Sequence, residues 1–169
     1  NSISIVISTV IEKIIINTNG QLLTHSCWEK LPEDFKKYMK ELIISVDGAR
    51  TESYEKNRAG GSFKILLENL SFIKELRDKG QLTELRCYYV YQLNNYKELM
   101  EMVTIAEQYS FDRIFFARLS NWGTYNPVLF KKLDVGNPEH PQYNALQKIR
   151  KKINKFKREH TRPVITFMS

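Results

Sequence analysis

The sequence predicts an α/β fold in which strand-helix units repeat along a parallel sheet, and three observations carry that prediction. Short β-branched runs alternate with longer stretches whose apolar residues fall at helical spacing, the pattern of successive βα units. A length of 169 residues suits one core and not two of ordinary size. Hydrophobic residues at 42%, charged residues at 27%, 7 Gly and 5 Pro exclude a collagenous, low-complexity or compositionally disordered chain. Residues 1–169 are read as a single domain without internal repeat or linker.

Asn1 to Val10 alternates Ser with Ile or Val and has the look of a stray strand. The first strand of the sheet is expected over Lys13 to Asn17, a short helix over Pro32 to Met39 and a second strand over Leu42 to Val46. From Ser62 to Lys79, Phe63, Leu66, Leu67, Leu70, Ile73 and Leu76 recur at three- and four-residue intervals, one stripe of a helix. Ser62 suits its N-cap and Gly80 its C-terminal stop. Glu84 to Val90 makes the third strand. The next helix starts near Asn95, with Glu98 placed to complete a capping box and Leu99, Met102, Val103 and Ala106 as its buried stripe. A strand over Arg113 to Ala117, a short helix over Asn126 to Lys132, a helix from Pro141 to Phe156 and a last strand over Val164 to Met168 complete the chain.

The net charge of +7 is local. Gln147 to Arg162 holds eight Lys or Arg against Glu159 alone, which accounts for all of it, and the rest of the chain has equal numbers of acidic and basic residues. Residues 141–162 are therefore a basic amphipathic segment with Leu146, Ile149, Ile153 and Phe156 inward. Its lysines are read as solvating the outer face, in preference to gripping nucleic acid. No apolar run approaches the ~18 residues of a membrane span, and the start from Ile3 to Ile16 is broken by Ser4, Ser8, Thr9, Glu12 and Lys13. Two cysteines, Cys27 and Cys87, fit a reducing cytoplasm and supply no four-cysteine site.

Parallel α/β sheets collect ligands where strands end, because backbone donors and helix N-termini point into that rim. Each of the first four strands is followed by a polar cluster: Thr18-Asn19-Gly20, Ser45 to Arg50, Tyr91 to Asn95 and Arg118 to Gly123. Turn chemistry alone accounts for such residues singly; their shared position suggests one polar site. Several single residues have two readings. Trp122, with Tyr88, Tyr89 and Tyr91, suits a substrate cavity or core filling. Arg118 suits an anion or a salt bridge. His140 before Pro141 most simply starts the last helix, and His25 and His160 read as solvated.

In this order and spacing, the stretches IEKIIINTNG (Ile11 to Gly20), LIISVDGARTESYEKNRAGGSF (Leu42 to Phe63), NLSFIKELRDKG (Asn69 to Gly80), YYVYQLNNYKEL (Tyr88 to Leu99), DRIFFARLSNWGTY (Asp112 to Tyr125) and NPEHPQY (Asn137 to Tyr143) resemble the radical S-adenosylmethionine (radical SAM) enzymes. Within that family the chain is most similar to the branch with a C-terminal auxiliary-cluster (SPASM-type) extension. The resemblance spans Ile11 to Lys152. It implies an α/β fold of the incomplete parallel (β/α) barrel kind. In that family a four-iron, four-sulfur (4Fe-4S) cluster cleaves S-adenosylmethionine reductively, and the resulting 5′-deoxyadenosyl radical abstracts hydrogen from a substrate, in this branch often a peptide. It also implies cofactor-binding residues. Ser45 and Asp47 would meet the amino-acid or ribose part of S-adenosylmethionine, and Arg58 its carboxylate, which a guanidinium holds bidentately. Thr18 and Asn19 would meet its methionyl end, and Asn95 would serve the site through the helix it starts, or only as that helix's cap.

The chain departs from the family where the cluster is held. Members use three cysteines spaced C-x3-C-x2-C after the first strand, and no such triplet is present. Cys27 and Cys87 lie far apart and are read as small buried or half-buried thiols. No metal ligand or catalytic residue is assigned, and the cluster is expected to belong to an intact parent. The Gly-Gly-Glu-type turn and the auxiliary cysteines are absent too, so the sequence reads as an inactive fragment whose exposed strand edges favour self-association. Two other classes fit the residues: a non-catalytic relative that binds an adenosyl ligand or a protein partner, and a nucleic-acid-binding module built on the basic helix.

Overall fold

The computed structural model of the protein describes residues 12–168, so the alternation at residues 1–10 lies outside the described residues. The elements are β1 (Ile14–Thr18), α1 (His25–Glu29), α2 (Glu33–Tyr38), β2 (Met39–Ser45), α3 (Thr51–Asn57), α4 (Phe63–Asp78), β3 (Glu84–Tyr91), a 3-10 turn (Tyr96–Glu98), α5 (Leu99–Gln108), β4 (Arg113–Arg118), α6 (Pro127–Leu133), α7 (Tyr143–Glu159) and β5 (Val164–Met168). The strands form one parallel sheet of five, in the order β1-β2-β3-β4-β5. The expected fold class is the one observed: α/β, with strands in chain order as in an incomplete (β/α) barrel.

Strands in chain order joined by crossovers of one hand put every connecting helix on one face. Burial follows that rule. Leu42, Ile44, Leu85, Cys87, Tyr89, Ile114 and Phe116 are buried beneath the helices, whereas Ile43, Ser45, Arg86, Tyr88 and Phe115 on the opposite face are only half-buried. Tyr88 and Phe115 stack there with ring centroids 5.1 Å apart.

The long helix α4 forms for the expected reasons. Ser62 Oγ accepts from the Ile65 N–H at 3.4 Å, and Gly80 adopts a φ of +73° that a side chain would resist. Its buried stripe of Phe63, Leu66, Leu70, Ile73 and Leu76 faces the sheet. The helices α1 and α3 were not read from the sequence, although α2 and α6, equally short, were. Between β3 and α5 the expected capping box does not form. The Asn95 N–H goes to the Gln92 carbonyl, and Glu98 turns inward to accept from the Ala49 N–H at 2.9 Å and the Ser53 hydroxyl at 2.5 Å. Two buried donors hold that carboxylate, and the Asn95 N–H it would have capped is already satisfied by the Gln92 carbonyl. Ahead of α7, His140 Nδ1 accepts from the Gln142 N–H at 3.0 Å while Nε2 faces the Lys132 carbonyl at 3.1 Å, which fits its reading as a helix-starting residue. Among the described residues no helix is long and apolar enough to cross a membrane.

A ladder of alternating charge crosses the N-terminal end of the sheet on its helix-free face. Lys13 Nζ lies 2.5 Å from Glu41, one Arg86 amino group lies 2.6 Å from both Glu41 and Glu84, and Arg113 Nε lies 2.6 Å from Glu84. Hydrogen bonding from Arg86, then from Arg113, outweighs partial burial and brings the Glu84 carboxyl from 4.5 down to about 2. A carboxyl whose folded pKa is depressed adds stability above its unfolded value and loses it as pH falls toward the folded one. The stability difference between the parent chain and Glu84→Gln should therefore be full above pH 4.5 and shrink as pH falls toward about 2. Urea melts across that range check it, and a pH-independent difference would show that the ladder does not hold Glu84.

Candidate functional site

The C-terminal ends of β1, β2 and β3 bring most of the expected residues to one edge. Past the end of β2, Asp47 has a φ of 56°, unusual for a residue with a side chain. That conformation is over-determined by its neighbours. Asp47 Oδ1 accepts from the Val90 N–H at 2.6 Å, its Oδ2 lies 2.5 Å from an amino group of Arg58, and its carbonyl accepts from Asn57 at 2.6 Å and Asn95 at 3.0 Å. Burial raises the Asp47 carboxyl above the ordinary carboxylate range, against the opposing pull of the Arg58 charge and the Val90 amide. The Arg58 fork is thus only partly engaged, and its Nε is buried without a partner.

Ser45 ends β2 on the helix-free face, its hydroxyl 3.4 Å from Asn17 Oδ1. At the end of β1 the Thr18 hydroxyl accepts from the Gly20 N–H and Asn19 Oδ1 from the Gln21 N–H, both at 3.1 Å, so each side chain shapes its own turn. Asn95 is the furthest from a ligand-binding posture. Its side chain is buried and fully engaged: Nδ2 donates to the Asp47 and Val90 carbonyls and Oδ1 accepts from the Gln92 N–H. Asn95 fixes Asp47 by holding its backbone.

The sequence reading missed the residues that clamp this edge. Asn57, at the end of the unread α3, accepts from Gln92 at 2.9 Å and Asn94 at 2.8 Å while donating to Asp47. Gln21 bonds Tyr54 and both backbone groups of Ser62, and Asn69 in α4 reaches the Gly20 and Gln21 carbonyls. Asn69 was detectable as a polar residue on the buried stripe of a helix. Gly48 is required for close approach, because a Cβ there would sit 2.3 Å from the Tyr54 nitrogen.

Residues with two readings resolve. Arg118 is held bidentately by buried Asp134 at 2.8 and 2.5 Å and is not free for an anion. Trp122 is 89% exposed, and Tyr89 and Tyr91 are buried under the helices, so these aromatics do not share a cavity. Cys87 is buried in β3, and burial pushes its thiol well above the usual range. Among the described residues no group of three or more His, Cys, Asp or Glu is placed to hold a metal ion, and a four-iron, four-sulfur cluster does not fit them.

Solved structures of similar fold come from Streptococcus suis. SuiB matches with a TM-score of 0.61 at 16% identity, covering 92% of this chain and 32% of that one. SuiB bound to the precursor peptide SuiA gives 0.59 at 16% identity, with 92% and 31% covered. SuiB bound to S-adenosylmethionine gives 0.57 at 16% identity, with 90% and 32% covered. The chain spans about a third of the length of that protein, and at this identity the likeness is one of fold. No protein-family model matches the chain, and no curated protein sequence does.

The clamp has a measurable consequence. Glu98→Ala strands the Ala49 N–H, while the Ser53 hydroxyl keeps the Arg50 carbonyl as an acceptor at 3.1 Å. The substitution should lower unfolding stability by about 1–3 kcal/mol for the one unsatisfied donor. Glu98→Gln keeps an acceptor oxygen and should lose less. Equal losses in denaturant titrations would mean that volume, not hydrogen bonding, is what Glu98 supplies.

Proposed function

We propose that the chain forms part of the S-adenosylmethionine-binding wall of a radical SAM enzyme, of the SPASM-type branch, acting on a peptide. One observation carries the reading: Ser45, Asp47 and Arg58 share the strand-end edge, with a buried Arg58 Nε that lacks a partner. An unpaired buried donor is costly, and an incoming carboxylate would satisfy it. The sequence resemblance and the fold shared with SuiB, which has been solved with S-adenosylmethionine and with its precursor peptide, support the same pair of ligands.

In this reading Arg58 keeps one amino group on Asp47 and offers Nε to the carboxylate of the cofactor. Ser45, with one long hydrogen bond of its own, turns its hydroxyl to the amino-acid or ribose part. Thr18 and Asn19 border the methionyl end through their turns, and Asn95 acts at one remove by positioning Asp47. S-adenosylmethionine supplies, once reductively cleaved, the radical that takes hydrogen from the substrate. The iron-sulfur cluster that this requires would need ligands other than the described residues, and the chain would be inactive without it.

Calorimetric titration of the chain with S-adenosylmethionine tests the reading. Saturable binding is expected, weakened at least tenfold in Arg58→Ala and to a lesser extent in Ser45→Ala. No binding, or affinities untouched by both substitutions, would return the chain to the class of protein-binding relatives.

The proposal extends to self-association. Within the described residues β1 and β5 are the outer strands, and the helix-free face exposes Ile15, Val164 and Met168. Sedimentation should show concentration-dependent oligomers; a monodisperse monomer with a cooperative melt would remove this part.

A further inference from the structure

Beside the proposed cofactor edge, a groove of about 520 Å³ opens between the end of α3, the loop after β3 and α6. That volume lies within the range of small-ligand sites. Three unlike features meet in it. Tyr125, Leu129 and Leu133 give it an apolar side, Leu129 being 40% exposed. Lys56 on α3 and Lys132 on α6 bring two cations from different walls, and neither pairs with a carboxylate among the described residues. Asn94 Oδ1 is buried without a hydrogen-bond partner, although Nδ2 of the same amide donates to Asn57 at 2.8 Å. Rotating that amide would set two carbonyl oxygens face to face, so the unused acceptor stays directed away from Asn57.

A simple anion would answer the lysines alone, and a hydrocarbon the leucines alone. A peptide answers all three: its backbone N–H suits Asn94, an acidic side chain suits the lysines, and an aliphatic neighbour suits α6. We propose that this groove binds a short acidic peptide segment, an Asp or Glu next to an aliphatic residue. The groove adjoins the cofactor edge through Asn57, which donates to the Asp47 carbonyl, yet peptide binding here does not require S-adenosylmethionine.

The probe is a fluorescein-labelled, end-blocked Gly-Leu-Glu-Leu-Gly peptide, with its glutamine counterpart, titrated against the full chain by anisotropy without S-adenosylmethionine. The glutamate peptide should bind at least tenfold tighter than the glutamine one, because charge-assisted hydrogen bonds are the stronger kind. The double variant Lys56→Gln, Lys132→Gln changes two surface side chains and should erase that preference. Asn94→Ser should weaken both peptides alike. Absent binding, equal affinity for the two peptides, a double variant that keeps the preference, or displacement by an oligouridylate at equal concentration would each overturn the proposal. Failure here beside saturable S-adenosylmethionine binding rejects the groove alone; the reverse rejects the cofactor edge alone.

Discussion

Parallel strands laid down in chain order can be joined only by crossovers that return over the sheet, and crossovers of one hand return on one side. From this constraint the remaining features follow. The apolar faces of α4, α5 and α7 meet the same side of the sheet and build one core around Leu70, Leu85, Phe116 and Ile153. The other side keeps charge at its N-terminal end and an aromatic pair further along. All strand C-termini emerge at one edge, so loops distant in sequence become neighbours there.

That edge is mostly occupied by its own structure. Asn95, Asn57, Gln21 and Glu98 each hydrogen-bond backbone groups of a different loop, and the polar character that suggested ligand binding is largely the means by which the loops hold one another. What remains open is narrow: a partly engaged guanidinium at Arg58, a weakly bonded hydroxyl at Ser45 and an unpaired carbonyl oxygen at Asn94. Function is proposed from these residual capacities, set in place by neighbours that have none left.

Legibility in the sequence tracked how local each signal is, not how long the element: the five-residue β5 was read and the seven-residue α3 was not. The stripe of α4, its Ser62 cap and the bounds of β5 were readable because periodicity and capping are local properties. The helix α3 was not, and with it went Asn57 and its bonds to Asp47, Gln92 and Asn94. Glu98 misled because one residue type serves both a capping box and a buried acceptor, and only the tertiary position of Ala49 and Ser53 decides between them. The charge ladder was hidden for a related reason. Glu41, Glu84, Arg86 and Arg113 alternate acceptably within their strands, but their pairing depends on register across strands, which no single stretch encodes.

The ladder also acts as a gauge of alignment. A slip of one residue between β2 and β3 would turn Arg86 toward the helices and leave Glu41 facing an apolar neighbour, so a misplaced strand strands a charge where the correct one neutralises it. Three strands and the residue that leads into β1 are checked this way by a single row of side chains, at the end of the sheet opposite the proposed binding edge. Register is thereby enforced at the end of the sheet away from the strand-end loops, which leaves those loops free of that duty.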